Sequence, residues 1–137
     1  MTTKTKTPGG TVEHFSALLG EGRLDALLDL YEEGAAFVPE PGRAVNGRES
    51  IRRELEQFIA LKPRMNGNVE KVLEAGDTAL VAYRWRLAGT SPDGIPVRMD
   101  GVSADVLRRR PDGSWGVLID DPYGVSGAPA ESDRPGA

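Results

Sequence analysis

The chain contains no cysteine and a single histidine, His14. The first absence rules out a disulfide framework, a thiolate nucleophile and any zinc site built on cysteine. The second leaves no His-rich metal site within one chain. Long apolar runs are also missing. None approaches the roughly 20 residues that cross a bilayer, so no membrane association is expected. Basic residues are outnumbered, 17 Lys and Arg against 21 Asp and Glu, for a net charge of −4 and a pI near 5.1. That balance argues against general affinity for nucleic acid or anionic membranes. No internal repeat occurs. The segment MTTKTKTPGG at residues 1–10 is polar and lacks an apolar core, so no signal peptide is expected and a cytoplasmic location is.

What is present is an ordinary globular composition, 39% hydrophobic and 28% charged over 137 residues, enough for one domain with its own core. The two ends, residues 1–9 and 126–137, carry no apolar periodicity and read as disordered tails around a domain at 10–125. Within it, residues 11–20 place Val12, Phe15, Leu18 and Leu19 at helical spacing, with Thr11 as a candidate N-cap. His14 lies beside that stripe and reads as a partly exposed helix residue. Leu24, Leu27, Leu28 and Tyr31 make a second helical stripe ending near Gly34. AAFVPEPG is a short strand stopped by Pro39 and Pro41, and AVNG a brief return strand. GRESIRRELEQFIAL is the most strongly patterned helix, with Ile51, Leu55, Phe58 and Ile59 on one face. NVEKVLEAG, TALVAYRWRLAG, IPVRMDGVSADVLRR and SWGVLIDDPYG then alternate as strands, separated by the turn sequences GD, TSPDG and PDG. Links this short demand antiparallel neighbours. The fold class expected is α+β, helices packed on one face of a curved antiparallel sheet.

Arg108–Arg110 is the loudest charged run. Beside Pro111-Asp112-Gly113, and in a chain of net negative charge, it reads as a solvated strand end rather than a nucleic-acid site. Asp105 is the residue that does not fit its surroundings. Counting by twos puts Met99, Gly101, Ser103, Asp105 and Leu107 on one face of the strand and Val102, Ala104 and Val106 on the other. A two-residue hairpin at Asp112-Gly113 pairs Pro111 with Ser114 and sets Asp105 opposite Asp120, with Leu118 on the same face. A three-residue loop with a bulge pairs Asp105 with Ile119 instead, and dissolves the carboxylate pair. In the first register, one of two neighbouring carboxyl groups keeps its proton and serves as hydrogen-bond donor or general acid. Glu40, fixed between Pro39 and Pro41, is a candidate general base. Tyr31, Phe58, Tyr83 and Trp85 are candidates to line a pocket, and Gly101 and Ser103 leave room in it.

The order of these segments, with LLDLYEEGAAFV, NGRESIRREL, WRLAGTSPDG, DVLRRRPDGSW and DDPYG, resembles the NTF2-like superfamily over roughly residues 11–125. It is most similar to the SnoaL-like and SgcJ/EcaC-type members. The resemblance implies a cone, in which a curved sheet wraps the helices around an enclosed cavity, in a homodimer formed through the sheet. It implies carboxylate roles at Glu40, which precedes Pro41, and at Asp105, which opens Asp105-Val106-Leu107-Arg108. Tyr31 matches a family tyrosine. The tyrosine that builds the ketosteroid isomerase oxyanion site falls on Phe15 here. Two functions follow as expectations. One is isomerisation or cyclisation of a small hydrophobic, polyketide- or polyene-like molecule, without a cofactor, by Asp105, Glu40 and Asp120. The other is non-catalytic binding of such an intermediate.

Overall fold

A computed structural model describes residues 3–124. Element order is a 3-10 turn at Thr3–Lys6, then α1 (Pro8–Glu21), α2 (Leu24–Asp29), β1 (Tyr31–Glu40), β2 (Arg43–Asn46), α3 (Arg48–Ile59), β3 (Arg64–Ala75), β4 (Thr78–Thr90), β5 (Pro96–Arg109) and β6 (Trp115–Asp121). The strands form one six-stranded sheet in the order β2-β1-β6-β5-β4-β3. Every neighbouring pair is antiparallel except β1 and β6. The α+β arrangement is the one expected, and β3 to β6 form the expected meander. The parallel β1–β6 pair joins segments some 80 residues apart and had no local signal. No helix among the described residues is long and apolar enough to cross a membrane.

Helix α1 begins earlier than its apolar stripe suggests. Thr7 is the N-cap, accepting from the Gly10 amide at 3.1 Å, and Pro8 occupies the first turn, where its missing N–H costs nothing. Residues 3–9, expected as part of a tail, therefore carry structure. Thr11 is not the cap; it is fully buried and donates its hydroxyl to the Thr7 carbonyl. The expected tail at 126–137, like residues 1–2, lies outside the described residues. Tyr31 is also relocated. Helix α2 stops at Asp29, and Leu30 already accepts from the Val117 amide, so Tyr31 opens β1 instead of closing a helix. Gly34, at φ 75°, lies in an irregular stretch of β1 where the register against β6 shifts.

The core lies between the helices and one face of the sheet. Ala79, Val81, Tyr83, Trp85 and Leu87 of β4 point into it and share one buried cluster with Leu27 and Leu28 of α2 and Ile51 and Leu55 of α3. Arg84 and Arg86 point out. The arginine run divides three ways. Arg108 is exposed, and Arg109 lies over the Trp115 ring at 4.9 Å. Arg110 turns inward to bind Glu32 at 2.7 Å and the carbonyls of Asp29 and Tyr31. Arg110 is thus a clamp between the β5–β6 hairpin and β1, not part of a solvated end.

The hairpin itself combines both registers weighed from the sequence. Its loop is the three-residue Pro111–Gly113, closed by the Arg110 amide on the Ser114 carbonyl at 2.7 Å. Pro111 has no N–H and cannot supply the ladder bond that the two-residue register asks of it. Pairing then runs Arg109 with Trp115 and Leu107 with Val117, but Val106 with Ile119. Leu118 is the extra residue of a bulge. That one-residue shift cancels the longer loop and brings Asp105 opposite Asp120.

Candidate functional site

A cavity of about 80 Å³ opens between the helices and the concave face of the sheet. Its walls are almost wholly apolar. Helix α1 contributes Val12, Phe15 and Leu19, α3 contributes Leu55 and Phe58, and the sheet contributes Phe37, Met65, Tyr83, Trp85 and Leu87. Ser16 and Ser103 add hydroxyls, and Pro122 and Tyr123, just past β6, complete the lining. None of the lining residues is Lys, Arg or His. Into this surface project two carboxyl groups, those of Asp105 and Asp120.

Both are buried, Asp105 at 5% and Asp120 at 7% exposure, and they hydrogen-bond each other. The surroundings tell the two apart. Asp105 accepts from Ser103 Oγ at 2.8 Å and from the Asp121 amide at 3.2 Å. Ser103 in turn accepts from the Tyr83 amide at 3.2 Å. Asp120 Oδ2 accepts from the Tyr31 hydroxyl at 2.6 Å. Tyr31 is held edge-to-face against Phe15 at 5.7 Å.

No Lys, Arg or His among the described residues lines this apolar space to compensate two charges, so burial favours a proton there. Burial pushes the Asp105 carboxyl well above its ordinary range. The charge of Asp120, and the hydrogen bond to it, push the same way, while Ser103 and the Asp121 amide oppose them weakly. Burial also raises Asp120, but the donors Tyr31 and Asp105 hold it back. Both carboxyl groups are thus raised, Asp105 the more strongly, so of the two it is Asp105 that holds a proton more firmly. Burial first, and then the neighbouring Asp120 charge, hold the Tyr31 phenol well above its ordinary range, so it remains a donor. Chemically this is a hydrogen-bond donor and an acceptor side by side in a dry wall, the combination that general acid–base chemistry uses.

Of the residues singled out from the sequence, the cavity unites Asp105, Asp120, Ser103, Phe15, Phe58, Tyr83 and Trp85. Three others lie elsewhere. Glu40 is exposed at the end of β1 and pairs with Arg43, Oε1 to Nε 2.8 Å. Proline on both sides of it fixed the backbone but did not aim the side chain inward. Leu118 is half-buried at the bulge, outside the cavity lining, because the extra residue there breaks the alternation. Tyr31 stands behind Asp120 instead of in the wall. Tyr123 and Phe37 were missed as wall residues. The strand reading of the apolar run AAFV could have pointed to Phe37, whereas Tyr123 follows the last strand and no periodicity reaches it.

Residues 12–115 match the family model of the SnoaL-like domain. Among solved structures, a ketosteroid isomerase-like protein from Erwinia carotovora atroseptica is 17% identical, over 92% of this chain and 99% of its own, with a TM-score of 0.75. An NTF2-like protein with a cystatin-like fold from Novosphingobium aromaticivorans is also 17% identical, over 91% of this chain and 80% of its own, at a TM-score of 0.69. The epoxide hydrolase/cyclase-like enzyme SalBIII, described in pyran ring formation in polyether salinomycin, shares 17% identity over 82% of this chain and 86% of its own, at 0.59. At such identities the likeness is one of fold. No curated protein matches the chain.

Proposed function

The chain belongs to the SnoaL-like domain family, and on that premise we propose that it is an isomerase or cyclase that moves a proton on a small, uncharged, hydrophobic molecule bound in its cavity. The observation that carries this reading is the Asp105–Asp120 pair, two hydrogen-bonded carboxyl groups in an apolar wall. Asp105 gives its proton to a carbonyl, ether or epoxide oxygen of the ligand. Asp120, ionised, is the base that takes a proton from an acidic C–H or O–H of the same molecule. The proton of Asp120 then returns to Asp105 through their shared hydrogen bond, and the pair is reset. Tyr31 keeps the assignment fixed by stabilising charge on Asp120. Glu40 has no part in this scheme. The ring-forming polyether enzyme among the structural neighbours supports a polyketide-like ligand, and a neutral, oxygen-bearing molecule is what the wall chemistry favours.

The test is incubation with a panel of small cyclic ketones and epoxides in deuterated water, followed by NMR for exchange or ring opening. Asp105→Asn and Asp120→Asn should each reduce the rate by about 10²-fold or more. Full turnover in both variants would end the mechanism. A non-catalytic binder is the second reading, favoured by the exclusion of Glu40 from the cavity. Wild-type protein that binds panel members and leaves them unchanged would establish it. We further propose a homodimer through the outer face of the sheet, where Leu80 and Ile119 are 39% and 40% exposed.

A further inference from the structure

The polar side chains of the cavity wall are not all paired. Asp105, Asp120 and Ser103 are bonded among themselves. The Trp85 indole donates to the Pro122 carbonyl at 2.6 Å, and the Tyr123 hydroxyl to the Pro39 carbonyl at 2.8 Å. Tyr83 and Ser16 remain. They are 6% and 7% exposed and line the cavity, yet neither hydroxyl has a hydrogen-bond partner among the described residues. Thr11, on the same helix as Ser16, turns its hydroxyl back to the Thr7 carbonyl, the usual resort of a helix hydroxyl. Ser16 does not. A buried hydroxyl without a partner is costly, and two in one apolar wall mark a place where a ligand atom completes the bonding.

Both hydroxyls are brought to the β3 side of the cavity. The Tyr83 phenol leaves β4 and lies across Gly67 of β3, where a Cβ would stand 2.6 Å from its Cζ and from its hydroxyl oxygen. A side chain at position 67 would displace the phenol. Helix α1 runs close above. A Cβ at Gly9 would meet Val69 at 3.5 Å, and one at Gly20 would meet Met65 at 3.8 Å. Ser16 falls between these two glycines, level with Gly67. The carboxyl pair lies further along the sheet. Asp120 is on β6 and Asp105 on β5, and β3 is two strands beyond β5. A strand spacing of about 4.8 Å sets the hydroxyls and Asp105 ~10 Å apart along the wall.

We propose that the Tyr83 and Ser16 hydroxyls form a second binding station in the cavity, and that the ligand is a small molecule with two neutral oxygen functions on opposite sides of an apolar body. The proposal rests on the small-molecule reading of the same cavity. One oxygen meets Asp105, and the other meets Tyr83 and Ser16, which fixes the direction in which the ligand lies. Both hydroxyls can donate or accept, so a carbonyl or a hydroxyl suits them. With no Lys, Arg or His in the lining, an anionic group does not.

The experiment measures the binding of two ketones, cyclohexanone and 1,4-cyclohexanedione, to the full chain by ¹H–¹⁵N NMR titration. The dione carries a second carbonyl across the ring. Tyr83→Phe keeps the ring over Gly67 and removes only the hydroxyl. It should lower the ratio of dione to cyclohexanone affinity about five-fold, the factor that one ordinary hydrogen bond contributes. Ser16→Ala should lower the same ratio. Since the Tyr83 hydroxyl has no protein partner, Tyr83→Phe should melt with wild type. An unchanged ratio in Tyr83→Phe, with both ketones bound, would overturn the second station and leave the cavity as a binding site. A lowered melting temperature would give the hydroxyl a structural role and overturn it equally. Failure of wild type to bind either ketone would overturn the station and the small-molecule reading together. The ratio involves no proton transfer, so it is separate from the fate of the catalytic mechanism.

Discussion

Asp105 is a carboxyl group that would be costly to ionise where it sits, and this makes it measurable through stability. Its folded pKa is raised well above the ordinary carboxylate value. The stability it contributes is therefore complete in acid, below the unfolded pKa, and is lost as pH rises toward the folded one. The slope across that window is about 1.4 kcal/mol per pH unit. Asn is nearly isosteric and offers Asp120 an N–H without a proton to lose; it keeps one of the two oxygens that accept from Ser103 and from the Asp121 amide. Asp105→Asn should melt higher than wild type, with an advantage that grows between pH 5 and pH 8 to about 1–3 kcal/mol. Melting curves across that range check it, and a difference independent of pH would contradict it. Tyr31 shows how a residue can be singled out correctly and placed wrongly. Its spacing from Leu27 and Leu28 fits a helix, yet it begins a strand, because the Leu30 carbonyl is taken by β6.

The elements divide by the range of the forces that define them. Helix α3 was legible because its apolar period and the glycine before it are local, and β4 because Ala79 to Leu87 alternate without a break. The parallel pairing of β1 with β6 was not legible, since nothing within either segment names a partner so distant. The Leu118 bulge lay between these cases. Pro111 excluded the two-residue loop, but only the packing of Asp120 into the cavity required the compensating residue. Gly116 marks the same constraint: a side chain there would collide with the Arg110–Glu32 pair. On the opposite face, β4, β5 and β6 align Leu80, Val106 and Ile119 in one row across the sheet. That row is the proposed dimer face. Sedimentation equilibrium should give a dimer for wild type and a monomer for Leu80→Glu, which buries an unpaired charge in any such contact. A monomeric wild type would remove the dimer.

At the scale of the whole molecule, the fold arranges for two carboxylates to be dry. The helices close one side of a sheet whose inner face is apolar, and the β5–β6 register sets Asp105 against Asp120 within it. Tyr31, at the start of β1, donates to Asp120 and lowers that carboxyl relative to Asp105. The fold class was readable from alternation and turn chemistry. The site was readable only in part, because Asp105 stands out in its strand while Tyr123 and the displacement of Glu40 depend on tertiary packing. The measurement that bears most directly on this account is a titration of the side-chain carboxyl carbons of Asp105 and Asp120 by ¹³C NMR. Asp105 should stay protonated through neutral pH while Asp120 is ionised, and Tyr31→Phe should weaken this division. Titration of Asp105 near the ordinary carboxylate value of 3.8 would contradict it.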